Sequence, residues 1–304
     1  MGSYFGEFSA LLTAVFWTIT ALAFESASKK VGSLAVNIIR LCIAFVFLSL
    51  YNLFSRGFLF PTDASFHSWG WLALSGLVGF VIGDLCLFQA FVVIGARTSM
   101  LIMSLSPPIA ALTGWLILGE KFSMQNTAGM TLTLIGIAIV VLNRTPKTAS
   151  SRKKEVRFNY PLTGLLLAFG GAAGQGIGLV LSKLGMQEYD AFAASQIRVL
   201  AGVVGFTLVF FFLGQWSSVR GALRHIPAMK RLTLGAFFGP FLGVSFSLMA
   251  IQHTSTGIAS TIMSIVPVLI IAPAVILNKE KLTLREVLGA VLAVSGVSLF
   301  FITL

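Results

Sequence analysis

The chain has 304 residues, of which 57% are hydrophobic and only 10% are charged, and its formal net charge is +11 at pH 7. Soluble domains carry about 25% charged residues, so this composition excludes a soluble globular protein and predicts a chain embedded in a lipid bilayer. No segment between the apolar stretches is long enough to form a soluble catalytic domain, so the protein is predicted not to be an enzyme.

Ten apolar segments follow one another along the chain, and each has about the 20 residues that a helix needs to cross a bilayer. They are apolar on all sides, whereas a transmembrane strand would alternate apolar and polar residues. The sequence therefore predicts an all-α polytopic membrane protein with ten transmembrane helices, at Phe5–Glu25, Leu34–Phe54, Trp69–Val93, Thr98–Leu118, Met124–Leu142, Leu162–Leu181, Ala191–Leu213, Leu232–Ile251, Ile258–Leu277 and Leu284–Ile302.

The predicted helices fall into two groups of five, separated by a basic stretch. Residues 144–160 are rich in Lys and Arg and are predicted to link a first half, residues 1–143, to a second half, residues 161–304. An odd number of helices in each half places the halves in opposite orientations, as in transporters made of inverted repeats with a binding site between them. The predicted fold is two inverted five-helix repeats around a central cavity.

A repeated sequence supports this division. The segment Gly79–Leu142 recurs without a gap as Gly239–Ile302, 160 residues later. A weaker match, at an offset of 158, pairs Arg40 with Arg198 in the second helix of each half. The identical pairs of the longer match include Gly79 and Gly239, Gly83 and Gly243, Pro107 and Pro267, and Glu120 and Glu280.

The loops on the side of the basic linker carry most of the Lys and Arg residues that lie outside the predicted helices. Basic loops tend to stay in the cytoplasm, so the linker is predicted to be cytoplasmic and both termini to face outward. The net charge is thus an orientation signal, and no nucleic-acid partner is expected. The expected partners are the lipid bilayer and a small-molecule substrate, and the expected state is a monomer.

Glycines and prolines are predicted to control how the helices pack and bend. Gly-x-x-x-Gly motifs let backbones approach closely in lipid, a glycine-rich helix bends easily, and a proline inside a helix removes a backbone donor. Plain helix packing and purely structural kinks are the alternatives. The predicted gating or kink residues are Gly79, Gly83, Gly174, Gly239, Gly243, Pro107 and Pro267.

Asp84 lies near the middle of the predicted third helix. A carboxylate at this depth costs about 3 kcal/mol on insertion scales, so such residues usually face the protein interior and have a function. Its counterpart in the repeat is Val244, so the repeat itself does not require a carboxylate there. Asp84 is predicted to carry a proton, to bind a substrate amine, or to form half of an ion pair.

Two arginines occupy equivalent places in the second helix of each half. Arg40 lies near the same membrane face as Glu25, and Arg198 lies near Glu188 and Asp190. Each is predicted to form an interfacial ion pair with these carboxylates. At Arg40 the alternative is that the guanidinium attracts a substrate carboxylate, because its planar arrangement of N–H donors matches the geometry of a carboxylate.

The remaining polar residues carry weaker predictions. Gln175 and Trp17 are predicted to contact the substrate, and a helix-to-helix hydrogen bond is the alternative. Glu120 lies in a tight turn and is predicted to be structural, while Thr283 and Glu286 match a capping box. The sequence contains no phosphate-binding loop and no Cys/His cluster, so no catalytic residue, metal or cofactor is predicted.

These features together resemble the drug/metabolite transporter superfamily, in particular its EamA-type members with ten spans in two repeats. The resemblance depends on Arg40 and Arg198, on Pro107 and Pro267, and on the sequence Leu118-Gly119-Glu120 before a short turn. It implies export, or sometimes uptake, of amino acids and other small metabolites, often coupled to protons. It also implies cytoplasmic termini, opposite to the orientation that the loop charges predict.

The predicted function is a secondary transporter that moves a small polar metabolite, with an amino acid and export favoured, by alternating access and with proton coupling. The alternatives are a nucleoside, a sugar or a drug-like cation as the solute, and beyond those a channel or an integral membrane enzyme. The predicted location is the inner membrane of a prokaryote.

Overall fold

A computed structural model describes residues 4–143, 161–271, 273 and 283–301, which are helical and contain no strand. The predicted linker 144–160 and Glu280 lie outside these residues. The first half contains α1 (Phe5–Val31), α2 (Ser33–Arg56), α3 (Phe66–Gly76), a π-helical segment π1 (Leu77–Gly83), α4 (Asp84–Met103), α5 (Ser106–Leu118) and α6 (Met124–Asn143). The second half contains α7 (Leu162–Met186), α8 (Ala191–Leu213), α9 (Trp216–Arg224), α10 (Ile226–Ala236), the π-helical segment π2 (Phe237–Gly243), α11 (Val244–His253), α12 (Thr256–Met263), α13 (Val266–Leu269) and α14 (Leu284–Ser298), which a short 3-10 turn (Leu299–Phe301) follows.

The helices have the length and the surface of a multi-pass membrane protein. Among the described residues, seven helical stretches are long and apolar enough to cross a bilayer. The predicted fourth, fifth and ninth spans correspond to shorter apolar helices, Ser106–Leu118, Met124–Val140 and Thr256–Leu269, so the count of ten stays a prediction. Large apolar side chains such as Phe54 (85% exposed) and Phe212 (80% exposed) project from the protein, as expected for a surface in contact with lipid.

The predicted boundary between the third and fourth helices is wrong. α4 continues through residues 94–97, where the sequence predicts a loop, and ends only at Met103. The equivalent chain of the second half does break, because Ser255 accepts a hydrogen bond from the backbone N–H of Ile258 at 3.4 Å and begins α12. The corresponding residue of the first half is Gly95, which has no side chain to cap a new helix.

Most of the large helix-to-helix contacts join a helix of one half to a helix of the other. α1 lies along α10, π2 and α11 of the second half, and α7 lies along α3, π1 and α4 of the first half. The other major contacts also join the halves, since α2 packs on α8, α5 on α12, and α6 on α14. Three pairs of sequence-equivalent helices therefore meet directly, while α1 and α7 each pack on the third-helix region of the opposite half, so that helices of the second half complete the core of the first.

Contacts between glycines show the relative direction of two paired helices. In the contact between α6 and α14, Gly129 lies beside Gly296, and Gly136 lies beside Gly289. Because the number rises along one helix as it falls along the other, the two helices run antiparallel. Inverted repeats require this direction, since parallel repeats would align Gly129 with Gly289.

Each half contains one seven-residue π-helical segment, at equivalent positions of the repeat. π-Helical turns are rare and frequently occur at functional sites. Pro240 lies inside π2 and cannot donate the hydrogen bond that an α-helix would need there. The first half has Phe80 at the equivalent position, so the feature that both segments share is the pair of glycines spaced four residues apart.

The antiparallel contact of α6 with α14 leads to the first prediction. A methyl group on Gly136 would lie 2.6 Å from the carbonyl oxygen of Gly289, so Gly136→Ala should force the helices apart and cost about 1–3 kcal/mol. Gly70→Ala is the matched control, because nothing lies within 4 Å of a methyl group there. Melting temperatures of the purified proteins in detergent check this. Equal melting of the two variants would show that α6 and α14 do not pack as described.

Candidate functional site

A cavity of about 350 Å³ lies between the two halves, and both contribute to its lining. This volume lies within the roughly 300–1,000 Å³ typical of small-molecule sites. Most of the wall is apolar, with charged groups from Arg40, Asp84 and Arg198. The lining also includes Trp17, Thr20, Phe80, Leu87, Met103, Ser104, Ser106, Pro107, Gln175, Leu179, Gly239, Pro240, Val244, Ser247, Ser260, Met263, Ser264 and Pro267.

Asp84 is buried at the start of α4 and is held by residues of both halves. It forms an ion pair with Arg40 of α2, and Gln175 Nε2 donates a hydrogen bond to its Oδ1 at 3.0 Å. Gln175 Nε2 also lies 3.3 Å from the carbonyl oxygen of Gly79. The structure thus brings three of the predicted site residues together, and it shows Asp84 as half of an ion pair. Arg40 therefore has Asp84 as a partner, and its predicted pairing with Glu25 stays a prediction, because the Glu25 side chain lies outside the described part.

Arg198 lies in the same cavity, and its predicted ion pair is wrong. Its guanidinium stacks over the ring of Phe80, with 5.1 Å from Cζ to the ring centroid. Asp190 instead caps α8 by accepting a hydrogen bond from Ala193 N at 2.9 Å, and Glu188 is exposed. Arg198 is 5% exposed, its Nε has no partner, and no described residue forms an ion pair or hydrogen bond with its side chain.

The predicted glycines bring helices of the two halves into contact beside the cavity. A methyl group on Gly174 would lie 2.7 Å from the Cα of Gly83. In the equivalent contact of the other repeat, a methyl group on Gly243 would lie 2.7 Å from the indole of Trp17. Gly239 is similarly covered, by Thr20, at 2.7 Å. The predicted close packing is therefore present, whereas a gating role stays a prediction.

Pro107 and Pro267 line the cavity next to interruptions in their helices. Pro107 lies in the first turn of α5, after the break at residues 104–105, and Pro267 lies in the first turn of α13, after the break at residues 264–265. Proline suits the first turn of a helix because its missing N–H has no partner there. Each proline thus begins a new helix after a full break, where the sequence predicts a kink within one helix.

A polar cluster at one end of the helices, which we call the end cluster, consists of Glu7, Glu120, Lys183, Thr254 and Thr256. Lys183 Nζ donates to Glu120 Oε1 at 2.8 Å and to the carbonyl oxygen of Thr254 at 2.7 Å. Glu120 also accepts hydrogen bonds from the backbone N–H and the hydroxyl of Thr256, and Thr254 donates to Glu7 at 2.8 Å. Glu120 therefore joins the halves, beyond the turn-forming role that the sequence predicts.

A second set of loop residues joins the halves nearby. Arg56 forms an ion pair with Asp63, and the Tyr189 hydroxyl donates to Asp63 at 2.9 Å. Burial alone would raise the pKa of Asp63, but the Tyr189 hydrogen bond and the Arg56 charge hold it below its usual range. Burial, together with the bond to Asp63, raises the pKa of Tyr189 to about 12. Because the folded-state pKa of Asp63 is lowered, its contribution is present at neutral pH and lost as the pH falls.

Sequence reasoning missed two of these features. Arg198 was assigned to the membrane interface, although its repeat equivalence to Arg40 was a signal that both arginines reach the cavity. Glu120 was assigned to its turn, although a carboxylate repeated at Glu280 in so apolar a chain was a signal of a buried contact. The predicted capping box is confirmed, since Thr283 and Glu286 cap α14 reciprocally.

Comparisons with known proteins agree with this architecture. The sequence profile described as the EamA-like transporter family matches residues 4–142 and again residues 162–302, which together make up more than half of the chain. An uncharacterized membrane protein of Saccharomyces cerevisiae is 21% identical over 189 residues, which are 59% of this chain and only 45% of the yeast protein. One crystal structure superposes on this chain with a TM-score of 0.71 and 17% sequence identity. The superposition covers 97% of this chain and 96% of the other protein's chain. At this identity the likeness shows the fold alone.

The end cluster leads to the second prediction. The Glu120 side chain is 9% exposed, whereas that of Asp63 in the neighbouring ion pair is 32% exposed. A double-mutant cycle of Glu120→Gln and Lys183→Met should therefore give a coupling of about 1–3 kcal/mol. The matched cycle of Asp63→Asn and Arg56→Met should give less than about 1 kcal/mol, because water screens an exposed pair. Unfolding free energies in detergent measure both, and a coupling no larger for Glu120 than for Asp63 would contradict the buried cross-half contact.

Proposed function

Because the chain belongs to the EamA-like transporter family, we propose that this multi-pass membrane protein is a secondary transporter that exports a small polar metabolite, favouring an amino acid, by alternating access coupled to protons. The observation that carries the proposal is the cavity shared by both halves, with a buried cluster of Arg40, Asp84 and Gln175 in an otherwise apolar wall. We further propose that it acts as a monomer, without a cofactor, in the inner membrane of a prokaryote.

The character of the cavity supports an amino acid over the other solutes. Its wall is mainly aliphatic and aromatic, which suits an apolar side chain, while the charged groups suit the polar end of a small zwitterion. The lining has two guanidinium groups and one carboxylate among the described residues, so its field repels a drug-like cation. A sugar or nucleoside would need many hydrogen-bonding groups, and several hydroxyls of this wall already donate to backbone carbonyls, as those of Thr20, Ser247 and Ser264 do.

The contacts between the halves support alternating access. The end cluster and the loop residues around Tyr189 tie the halves together at one end of the helices. These contacts are polar and would have to break for the cavity to open at that end. The helix breaks before Pro107 and Pro267 lie beside the cavity, where a helix can change direction without losing further backbone hydrogen bonds.

The pairing of Asp84 supports proton coupling. A proton on Asp84 would remove its charge, and with it the attraction that holds Arg40. The side chain of Arg40 would then be released toward the cavity that it already lines. A single proton therefore changes both the charge of the cavity and the contact between α2 and α4, which is the kind of change that biases one conformation over another.

Counterflow of radiolabelled amino acids in proteoliposomes tests the proposal as a whole. The expected result is saturable exchange of one class of amino acid, which an excess of unlabelled competitor abolishes. Flux that does not saturate would indicate a channel, and chemical conversion of the labelled compound would indicate an enzyme. Counterflow of sugars or nucleosides without counterflow of amino acids would replace the substrate and leave a transporter.

The third prediction concerns Asp84→Asn. Asparagine keeps the size of the side chain but cannot release a proton, so the variant should lose transport driven by a pH gradient and retain counterflow, which needs no net proton movement. Glu188→Gln is the matched control, since this exposed loop carboxylate has no part in the cavity. Uptake with and without an imposed pH gradient measures the difference. An Asp84→Asn protein that responds fully to the gradient would remove Asp84 as the proton carrier.

A further inference from the structure

We infer that Arg198 is the group of the cavity that binds the carboxylate of the transported solute. The inference rests on the proposed transport function and adds to it the part of the solute that is recognised. It concerns a residue that lies apart from the Arg40–Asp84 ion pair, on the other half's second helix.

The charges of the described cavity lining do not balance. Arg40, Asp84 and Arg198 are the charged residues among the described lining. Arg40 and Asp84 neutralise each other through their ion pair. The cavity therefore keeps one uncompensated positive charge, on Arg198, which a solute with one exposed carboxylate would neutralise.

The Arg198 side chain is buried and has no charged partner among the described residues. It is 5% exposed, its Nε has no hydrogen-bond partner, and its described neighbours include no carboxylate within ion-pair distance. Charged residues inside a membrane protein normally pair with one another or lie in a cavity that serves the function. Phe80 covers one face of the guanidinium plane, and this contact leaves the donors at the edge of the plane available.

The guanidinium of Arg198 lies close to the Arg40–Asp84–Gln175 cluster. The side chain reaches π1, where a methyl group on Gly79 would lie 3.5 Å from its Nη2. Gln175, which binds Asp84, also lies 3.3 Å from the carbonyl oxygen of Gly79. Arg198 and Gln175, which binds Asp84, thus both lie close to Gly79 in the same cavity.

A cavity with these charges should prefer solutes that carry a carboxylate over solutes that carry only an amine. The charge of Asp84 is balanced by Arg40, and each of its oxygens already accepts a hydrogen bond, one from Arg40 and one from Gln175, so an ammonium group finds no uncompensated carboxylate among the described lining. A carboxylate finds Arg198. An acid that lacks the amine should therefore bind, whereas an amine that lacks the carboxylate should not.

The experiment measures binding to the full chain in nanodiscs with four probes: L-leucine, isocaproate, which lacks the amine, isoamylamine, which lacks the carboxylate, and inorganic phosphate. L-Leucine and isocaproate should raise the melting temperature of the wild type, and isoamylamine should not.

Arg198→Gln should weaken binding of both acids about ten- to hundredfold, which is the effect of losing one charge-assisted contact. Arg198→Lys, which keeps the charge without the fork, should bind with intermediate affinity. Arg224→Gln, a change of an exposed arginine, is the matched control and should bind as the wild type does.

A second measurement separates binding from a structural role. Without ligand, Arg198→Gln should melt no lower than the wild type, because the change removes a buried charge that has no partner. An arginine that only supports the fold would lower the melting temperature when replaced and would leave the affinity of the folded fraction unchanged. That result would overturn the inference.

The remaining outcomes are equally decisive. Equal binding of the acids to Arg198→Gln and wild type, binding of isoamylamine as tight as that of isocaproate, binding of phosphate alone, or no binding of either acid would each overturn it. Counterflow of L-leucine that is unaffected in Arg198→Gln would overturn the inference and leave the transporter. Isocaproate binding that depends on Arg198, without counterflow of any amino acid, would support the inference and remove the amino-acid substrate.

Discussion

The close contact of Gly83 with Gly174 is the constraint on which the site depends. A side chain on Gly174 would push π1 and α7 apart, because a methyl group there would lie 2.7 Å from the Cα of Gly83. The next residues along the two helices are Asp84 and Gln175, whose side chains are 3.0 Å apart. The absence of a side chain on Gly174 thus lets the helices approach closely enough for Gln175 to donate to Asp84. In lipid, where water does not drive helices together, such close packing is the main source of helix association.

The scaffold repeats, but its chemistry does not. In the other half, Gly243 meets Trp17, and the residue that follows Gly243 is Val244 in place of Asp84. Both halves keep the arginine of the second helix, yet among the described residues only Arg40 has a carboxylate partner, since Val244 takes the place of Asp84 in the other half. The symmetric packing therefore surrounds an asymmetric cavity, with a neutral ion pair at Arg40 and a guanidinium at Arg198 that no described carboxylate pairs. A solute with distinct ends can bind such a cavity in one orientation.

The sequence predicts the parts of this structure that local patterns determine. Apolar length predicts most of the helices, the repeat predicts equivalent packing, and Thr283 with Glu286 predicts a cap. It fails where the outcome depends on which elements meet in space. Glu120 accepts its hydrogen bonds from Thr256 and Lys183, far away in the chain, and Arg40 pairs with Asp84 across two helices. The continuation of α4 through residues 94–97 was missed for a local reason, since Gly95 suggests a turn while the absence of a capping side chain favours the helix.

The charge of the cavity has a consequence for energy coupling. A solute whose carboxylate is its only charge would make the loaded cavity neutral when it pairs with Arg198, whereas the empty cavity keeps one positive charge. A zwitterion, which has no net charge, would leave the same positive charge in both forms. A charge that moves across the membrane field gains or loses about 2.3 kcal/mol for each 100 mV, so with a singly charged acid the membrane potential acts on the empty form and leaves the loaded form unaffected. With a negative interior, the potential draws the empty cavity toward the cytoplasmic side, where it meets new solute. This direction favours export, and protonation of Asp84 would strengthen it, because a second positive charge then remains on Arg40.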